Sequence, residues 1–321
     1  MRHLFIIDPL ELLHVEGDSS IAFMQEAQRR GHVVETCLIG GLGQRGGDPF
    51  ALAAATRMLA GAAPWYEVEP SRHVQLSEFD AIWMRKDPPF DANYLFATLV
   101  LSRCSGVAGA GSGPVMVNDP QALRDENEKL FALEFPDLCP ATLVSSSMDQ
   151  LLAFREEMGG EMIVKPLDGN GGRGIFHMAK GDRNAHVILE TSTANGSTMV
   201  MAQQYVPEVR NGDKRIILIE GEPVGAVLRV PAADDARANF HTGGRAERTE
   251  LTDREREICA RLGPALRDKG VIFAGIDVLG DYLTEINVTS PTGVREIERL
   301  DGVALQGAVL DAVAARAAKR R

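Results

Sequence analysis

Residues 271–288 constrain the fold more than any other stretch. Val271–Leu279 and Leu283–Val288 are apolar runs separated by Gly280-Asp281-Tyr282, the pattern of a β-hairpin. With those residues as the turn, Asp277 lies across from Glu285, and strand alternation puts Asn287 on the face of Glu285. Ile276, Val278, Ile286 and Val288 fill the opposite face. Asp277, Glu285 and Asn287 then converge as the sparse oxygen set that Mg²⁺ completes with water and phosphate oxygens. The competing reading is a solvated sheet face with acid opposite acid. Facing carboxylates repel, so the cation site is preferred, with Mn²⁺ as the second candidate metal.

A second pattern complements the first. The strand Met162–Pro166 carries Lys165 and runs into Leu167-Asp168-Gly169-Asn170-Gly171-Gly172-Arg173-Gly174. A lysine at a strand end reaches phosphate oxygens, and bare glycine backbone lets N–H groups close over them. The Gly-Lys-Ser/Thr of a Walker loop is missing. Lys129, Arg215 and Arg229 are read as ligand contacts, because phosphoryl transfer crowds charge that arginine forks neutralise. Lys129 is expected on a helix, and Arg215 and Arg229 on neighbouring strands. Gln203, Gln204, Tyr205 and Val206 leave a strand where backbone groups can read a purine edge. The polar stretch 231–245, with Arg237, Asn239, Gly243 and Gly244, is read as a water-excluding lid.

The rest of the chain sets the frame. Leu4–Ile7, Val33–Ile39, Phe79–Arg85 and Val115–Val117 read as strands, with helices at Ser19–Arg30 and Ala92–Arg103. That alternation implies a covered, mostly parallel sheet. After the first strand comes Asp8-Pro9-Leu10 rather than a G-x-G-x-x-G turn, which counts against a dinucleotide oxidoreductase. Gly40–Gly47 and Gly106–Pro114 read as surface loops. Beyond Gln121, helices are expected at Gln121–Phe131, Met148–Met158, Asp253–Lys269 and Val303–Lys319. Antiparallel strands are expected at Ile175–Met178, Met199–Gln204, Lys214–Glu220 and Val224–Val230. The 321 residues suffice for two or three packed units, and a net charge of −11 argues against nucleic acid. Four scattered cysteines lack metal-ligand spacing and suit a reducing cytoplasm. The short apolar start is too brief for a signal peptide, and no run is long enough to span a membrane.

Several runs together resemble a known family. Met84-Arg85-Lys86-Asp87-Pro88-Pro89-Phe90-Asp91, Leu123–Phe131, Leu283–Thr292 and the opening Asp8-Pro9 with Asp18-Ser19-Ser20 are similar to bacterial glutathione synthetase, within the ATP-grasp superfamily. The similarity extends over almost the whole chain. It implies an α/β (α+β overall) protein: an N-terminal doubly wound α/β substrate domain (1–122), then a two-part ATP-grasp module with antiparallel sheets (123–205 and 206–321). It further implies ATP held by Lys129, Lys165, Gly169, Asn170, Gly171, Gly172, Gln203–Val206, Asp213 and Asn287, with Asp277, Glu285 and Asn287 on magnesium. Arg215 and Arg229 would stabilise the transferring phosphoryl group. Arg85, Asp18, Ser19, Ser290, Pro291 and Thr292, with Asp213, are the weaker candidates for the peptide side. The implied reaction joins γ-glutamylcysteine to glycine through an acyl phosphate, in a homo-oligomer expected to be a tetramer. Gly106–Pro114 stands out as an insertion. Rival readings are another carboxylate–amine ligase of the superfamily, glutamate-tailing or D-alanine type, and a non-catalytic ATP-binding protein.

Overall fold

The computed structural model describes residues 1–59, 64–104, 113–169, 171–231 and 244–320. The sequence patterns resolve into three sheets. The first contains β1 (Arg2–Ile6), β2 (Val33–Cys37), β3 (Leu42–Arg45), β4 (Asp48–Met58), β5 (Tyr66–Val68), β6 (Arg72–Gln75), β7 (Ala81–Met84) and β8 (Val115–Val117). Its path runs β3-β4-β2-β1-β7-β8, with β5 and β6 also on β4. β2, β1, β7 and β8 are parallel, as crossovers through α1 (Ser19–Arg29) and α2 (Ala92–Leu101) require. The short helix α3 (Pro120–Asp125) leads out of this sheet.

The second sheet has order β11-β10-β12-β9, built from β9 (Thr142–Ser145), β10 (Met162–Pro166), β11 (Phe176–Met178) and β12 (Val200–Gln204). Helices α4 (Met148–Glu157) and α5 (Ala185–Ser192) cover it through Leu151, Phe154 and Leu189. The third sheet, β15-β14-β13-β16-β17, comprises β13 (Asp213–Ile219), β14 (Glu222–Val230), β15 (Arg245–Arg248), β16 (Phe273–Leu279) and β17 (Tyr282–Asn287). Both of these sheets are antiparallel. Helices α6 (Asp253–Asp268), α7 (Val294–Asp301) and α8 (Leu305–Arg320) complete the chain.

Differences from the sequence expectations have local causes. Gly40–Gly47 is more than a loop, since it contains β3 and the β3–β4 turn at Gly46-Gly47, where Gly46 has φ +62°. The helix expected over Gln121–Phe131 stops at Asp125. Beyond it, the Asn127 side chain accepts from the amides of Lys129 and Leu130, and Glu128 O accepts from Ile286 N. Lys129 therefore sits in a turn rather than on a helix. Residues 106–112 of the apparent insertion lie outside the described residues.

The first and third sheets are joined by one side chain. Asn118 Nδ2 donates to Phe273 O and Val288 O, each at 2.7 Å, while its Oδ1 accepts from Ile272 N and Phe273 N. This fixes the loop after β17 relative to β8. The core of the first sheet carries a titration signature of its own. His3 is buried, accepts from Trp83 Nε1 at Nδ1 (3.1 Å), and sits 3.0 Å from His32 through Nε2. Burial, then His32 and the N-terminal ammonium, push its pKa down to about 3 against the opposing pull of Asp80. The unfolded chain therefore binds a proton that the folded one refuses. Stability is full above the ordinary histidine value of about 6.5 and falls as pH drops toward 3, by up to about 1.4 kcal/mol per unit. Denaturant melts from pH 7 to 4 should show this loss, and His3→Gln should flatten that part of the profile. An unchanged slope in the variant would refute the assignment.

Candidate functional site

The site forms where the second and third sheets face each other. The hairpin register is the one read from the sequence, with Asp277 opposite Glu285, but it arises differently. The turn is only Gly280-Asp281, with Leu279 paired to Tyr282, and a bulge at Thr284 restores the offset. The next strand adds what the sequence could not show, because Arg215 on β13 pairs in register with Asp277. Arg215, Asp277 and Glu285 thus form one cross-strand row. Arg229 enters from β14, opposite Asp213.

Asp277 is neutralised by protein cations. Arg215 Nη2 donates to its Oδ2 at 2.9 Å while Nε holds Oδ1, and Arg229 Nη2 lies 3.0 Å from Oδ2. Burial would raise the Asp277 pKa, but the two arginines outweigh it and hold the carboxyl well below the usual range. Asp213 is bonded bidentately by Arg229, yet burial still pushes its pKa up. The repulsion between facing acids is therefore relieved by Arg215 and Arg229, so a metal is not needed for that purpose. The donor set still fits a hard divalent cation. Asn287 Nδ2 points at Asp277 Oδ2 (3.4 Å), leaving its amide oxygen to accept, and the Glu285 side chain is 21% exposed. Among the described residues no group of three or more His, Cys, Asp or Glu forms a metal cage, so any ion here must share water and ligand oxygens.

Opposite this row stands the lysine–glycine edge of the second sheet. Lys165 is buried at the end of β10, with Nζ donating to Gln203 Oε1 at 2.9 Å. Burial lowers its pKa, and Glu285 supplies the leading opposing pull. Lys129 Nζ donates to Gly169 O at 2.7 Å and approaches Glu285 at 3.8 Å. A Cβ at Gly169 would lie 2.5 Å from Pro166 Cγ, so only glycine fits the base of that loop. Gly171 and Gly172 line the cleft with φ of +61° and +74°. At the far end Tyr205 stacks on His177 with ring centroids 4.2 Å apart, both facing the cavity. Gln204 N–H is committed to Ala141 O at 2.9 Å, so that amide does not read a ligand.

All of these residues surround one cavity of about 310 Å³, within the size range of small-molecule sites. It brings together Lys129, Lys165, Gly169, Gly171, Gly172, the segment 203–206, Asp213, Arg215, Arg229, Asp277, Glu285, Asn287 and residues 290–292. Arg85, Asp18 and Ser19 stand behind its wall. Arg85 donates to Ser20 Oγ and Pro291 O, each at 3.0 Å, and Asp18 caps α1. Asn170, Arg237, Asn239 and Gly243 lie outside the described residues, and Gly244 precedes β15. Asp87, Glu128 and His177 also line the cleft, and none was singled out from the sequence. For Asp87 and Glu128 the sequence does offer a signal, since Glu128 adjoins Lys129 and Asp87 lies two residues beyond Arg85.

Arg215 is held in place by a close packing contact. A Cβ on Gly275 would sit 3.0 Å from Arg215 Cδ and 2.9 Å from Pro291 Cβ. Gly275→Ala should displace both, lowering kcat about tenfold while nucleotide affinity measured by calorimetry stays constant. Equal losses in both would place the effect on the nucleotide end instead.

Comparison with known proteins bears on the whole chain. The model of the prokaryotic glutathione synthetase N-terminal domain matches residues 1–124, and that of the prokaryotic glutathione synthetase ATP-grasp domain matches residues 128–302. A glutathione synthetase from Gloeobacter violaceus is 50% identical, covering 97% of this chain and 96% of that protein. One from Mesorhizobium japonicum is 47% identical, covering 96% of each. Among solved structures, the D-cycloserine synthetase DcsG superposes with a TM-score of 0.66 at 16% identity, covering 98% of this chain and 99% of that one. The ATP-grasp ligase PsnB gives 0.62 at 19% identity, covering 98% of both chains. At such identities the likeness establishes the fold alone.

Proposed function

The chain belongs to the prokaryotic glutathione synthetase family, and we propose that it joins γ-glutamylcysteine to glycine, converting ATP to ADP and phosphate. It is an ATP-grasp ligase. The observation that carries the phosphoryl-transfer reading is the row Arg215–Asp277–Glu285, with Arg229 beside it, facing Lys129, Lys165 and the glycine loop across one cavity, while the family matches support the substrate pair. That arrangement places cations on both sides of a polyphosphate and leaves oxygen donors at its edge.

In this reading the adenine lies against Gln203–Val206 and the Tyr205–His177 stack. The phosphates lie under Gly169, Gly171, Gly172, Lys129 and Lys165, with Asp213 at the same wall. Asp277, Glu285 and Asn287 would hold magnesium, which when bound neutralises phosphate charge and orients its oxygens. The cysteinyl carboxylate oxygen attacks the γ-phosphorus as the bond to ADP breaks. Arg215 and Arg229 bear the added charge on the transferring group and on the acyl phosphate that results. Glycine's uncharged amine then attacks the acyl carbon, and the C–O bond breaks to release phosphate. Ser290–Thr292 form the peptide side, with Arg85, Asp18 and Ser19 supporting them from behind. The division into 1–122, 123–205 and 206–321 agrees with one sheet in each part.

The test is a set of single omissions. ADP release should require both γ-glutamylcysteine and glycine and match glutathione formed one for one. Activity only with a different acid and amine would leave the ligase and remove this substrate pair. Self-association is proposed as well: Phe96 is 60% exposed beside an apolar hollow lined by Ile39, Leu42 and Val100. Light scattering that returns a monomer mass would dismiss it. Among the described residues no helix is long and apolar enough to cross a membrane, which agrees with the proposed cytoplasmic location.

A further inference from the structure

We propose that Asp87 receives the α-ammonium group of the acyl donor, at the opposite end of that molecule from its reacting carboxylate; this rests on the γ-glutamylcysteine assignment above. Asp87 lies just beyond β7 and lines the cleft beside Pro88 and Ser290. It is a carboxylate on a ligand cavity, and among the described residues it has no ion-pair partner. Its neighbours are committed elsewhere. Lys86 pairs with Asp8 at 3.0 Å and donates to the backbone oxygen of Asp87, not to its side chain. Arg85 commits Nε to Ser20 Oγ and Nη2 to Pro291 O. Ser290 lies beside the carboxylate in the cleft lining, and its hydroxyl donates to Arg85 O at 3.3 Å.

Such a group is incomplete, because a partly desolvated anion needs a cation or several donors. Burial raises the Asp87 pKa, Ser290 and Arg85 oppose that, and Asp18 and Asp8 reinforce it. An arriving ammonium supplies the missing partner. Arg85 Nη1 and Tyr94 Oη are buried without partners behind the cleft wall, the Arg85 guanidinium lying over the Phe23 and Phe273 rings. Tyr94 lies within the fields of Glu128, Arg85 and Asp87.

Position selects which ammonium. Arg215 at the phosphoryl end donates to Thr292 O at 3.2 Å, whereas Asp87 lies beside Ser290. Ser290 and Thr292 are two residues apart in the loop after β17, a span of at most about 7 Å. Glycine's nitrogen must touch the acyl carbon to react, so it belongs at the Arg215 end. The γ-glutamyl α-nitrogen lies a comparable length from the cysteinyl carboxyl and reaches Asp87.

The experiment compares γ-glutamylcysteine with glutarylcysteine, which has hydrogen in place of the α-amino group. The wild-type enzyme should favour the amino donor by roughly thirtyfold or more in kcat/KM. Asp87→Asn should lose that preference through γ-glutamylcysteine alone, with KM for glycine and ATP unchanged and the melting temperature retained. Equal use of both donors by the wild-type enzyme overturns the inference, and that result needs no variant. A rise in KM for glycine in Asp87→Asn also overturns it, by moving Asp87 to the acceptor. If neither donor supports ADP release with glycine present, the donor assignment fails and this inference falls with it.

Discussion

Replacing Arg229 by methionine is expected to lower glutathione formation by about 10³-fold, with a much smaller change in the KM for ATP. The guanidinium touches both Asp213 and Asp277, and these acids together raise its pKa against the effect of burial. It is therefore a fixed cation at all working pH values, placed where charge grows as the phosphoryl group transfers. Its removal also leaves the buried Asp277 and the half-buried Asp213 short of one partner, at a cost of about 3–5 kcal/mol in stability. Arg229→Lys separates the effects. It should recover most of the stability but little of the rate, because an ammonium cannot bridge two acids and a phosphoryl oxygen with fork geometry. Stopped-flow rates alongside denaturant melts read both. Full recovery of rate in the lysine variant would mean that Arg229 acts only as a point charge.

The second large effect concerns Glu285. Glu285→Gln removes one of two carboxylates from the proposed magnesium set while keeping the shape of the side chain. The Mg²⁺ concentration for half-maximal ADP formation should rise by at least about tenfold. The side chain is partly exposed and its closest cation, Lys129, stands 3.8 Å away, so folding stability should move little. Chelation of divalent ions should abolish turnover in both proteins. An unaltered metal requirement in the variant would remove Glu285 from the ion and leave it as the partner of Lys129.

Much of this site is legible because strand alternation is strict. Once residues 271–288 are read as a hairpin, the facing of Asp277 and Glu285 follows from counting, and Asn287 shares their face. The count survived although the turn is shorter than expected, since the bulge at Thr284 compensates. The pairing of Arg215 with Asp277 was beyond reach, because it joins strands 62 positions apart and nothing local encodes register between them. β4 is hard to read from the sequence because its centre, Ala51–Ala55, is alanine and leucine rather than the β-branched and aromatic residues that mark a strand. β9 and α5 are short, and tertiary packing rather than propensity sustains them. Lys129 was placed on a helix because Gln121–Phe131 is rich in helix formers. Asn127 stops that helix by capping the next turn and donates Nδ2 to Leu167 O at 3.0 Å, a tertiary contact beside the one from Lys129 to Gly169. Asp87 and Glu128 escaped notice because charges beside a motif usually face solvent, and only the folded cleft turns them inward.

The most direct measurement follows oxygen. γ-Glutamylcysteine labelled with ¹⁸O in its cysteinyl carboxylate is turned over with ATP and glycine, and the released phosphate is weighed by mass spectrometry. The account expects one labelled oxygen in each phosphate, because the carboxylate oxygen that attacks phosphorus leaves with it when the amine displaces the acyl group. Unlabelled phosphate accompanying labelled glutathione would show that no acyl phosphate forms, and would contradict the role assigned here to Arg215, Arg229 and the cleft they share.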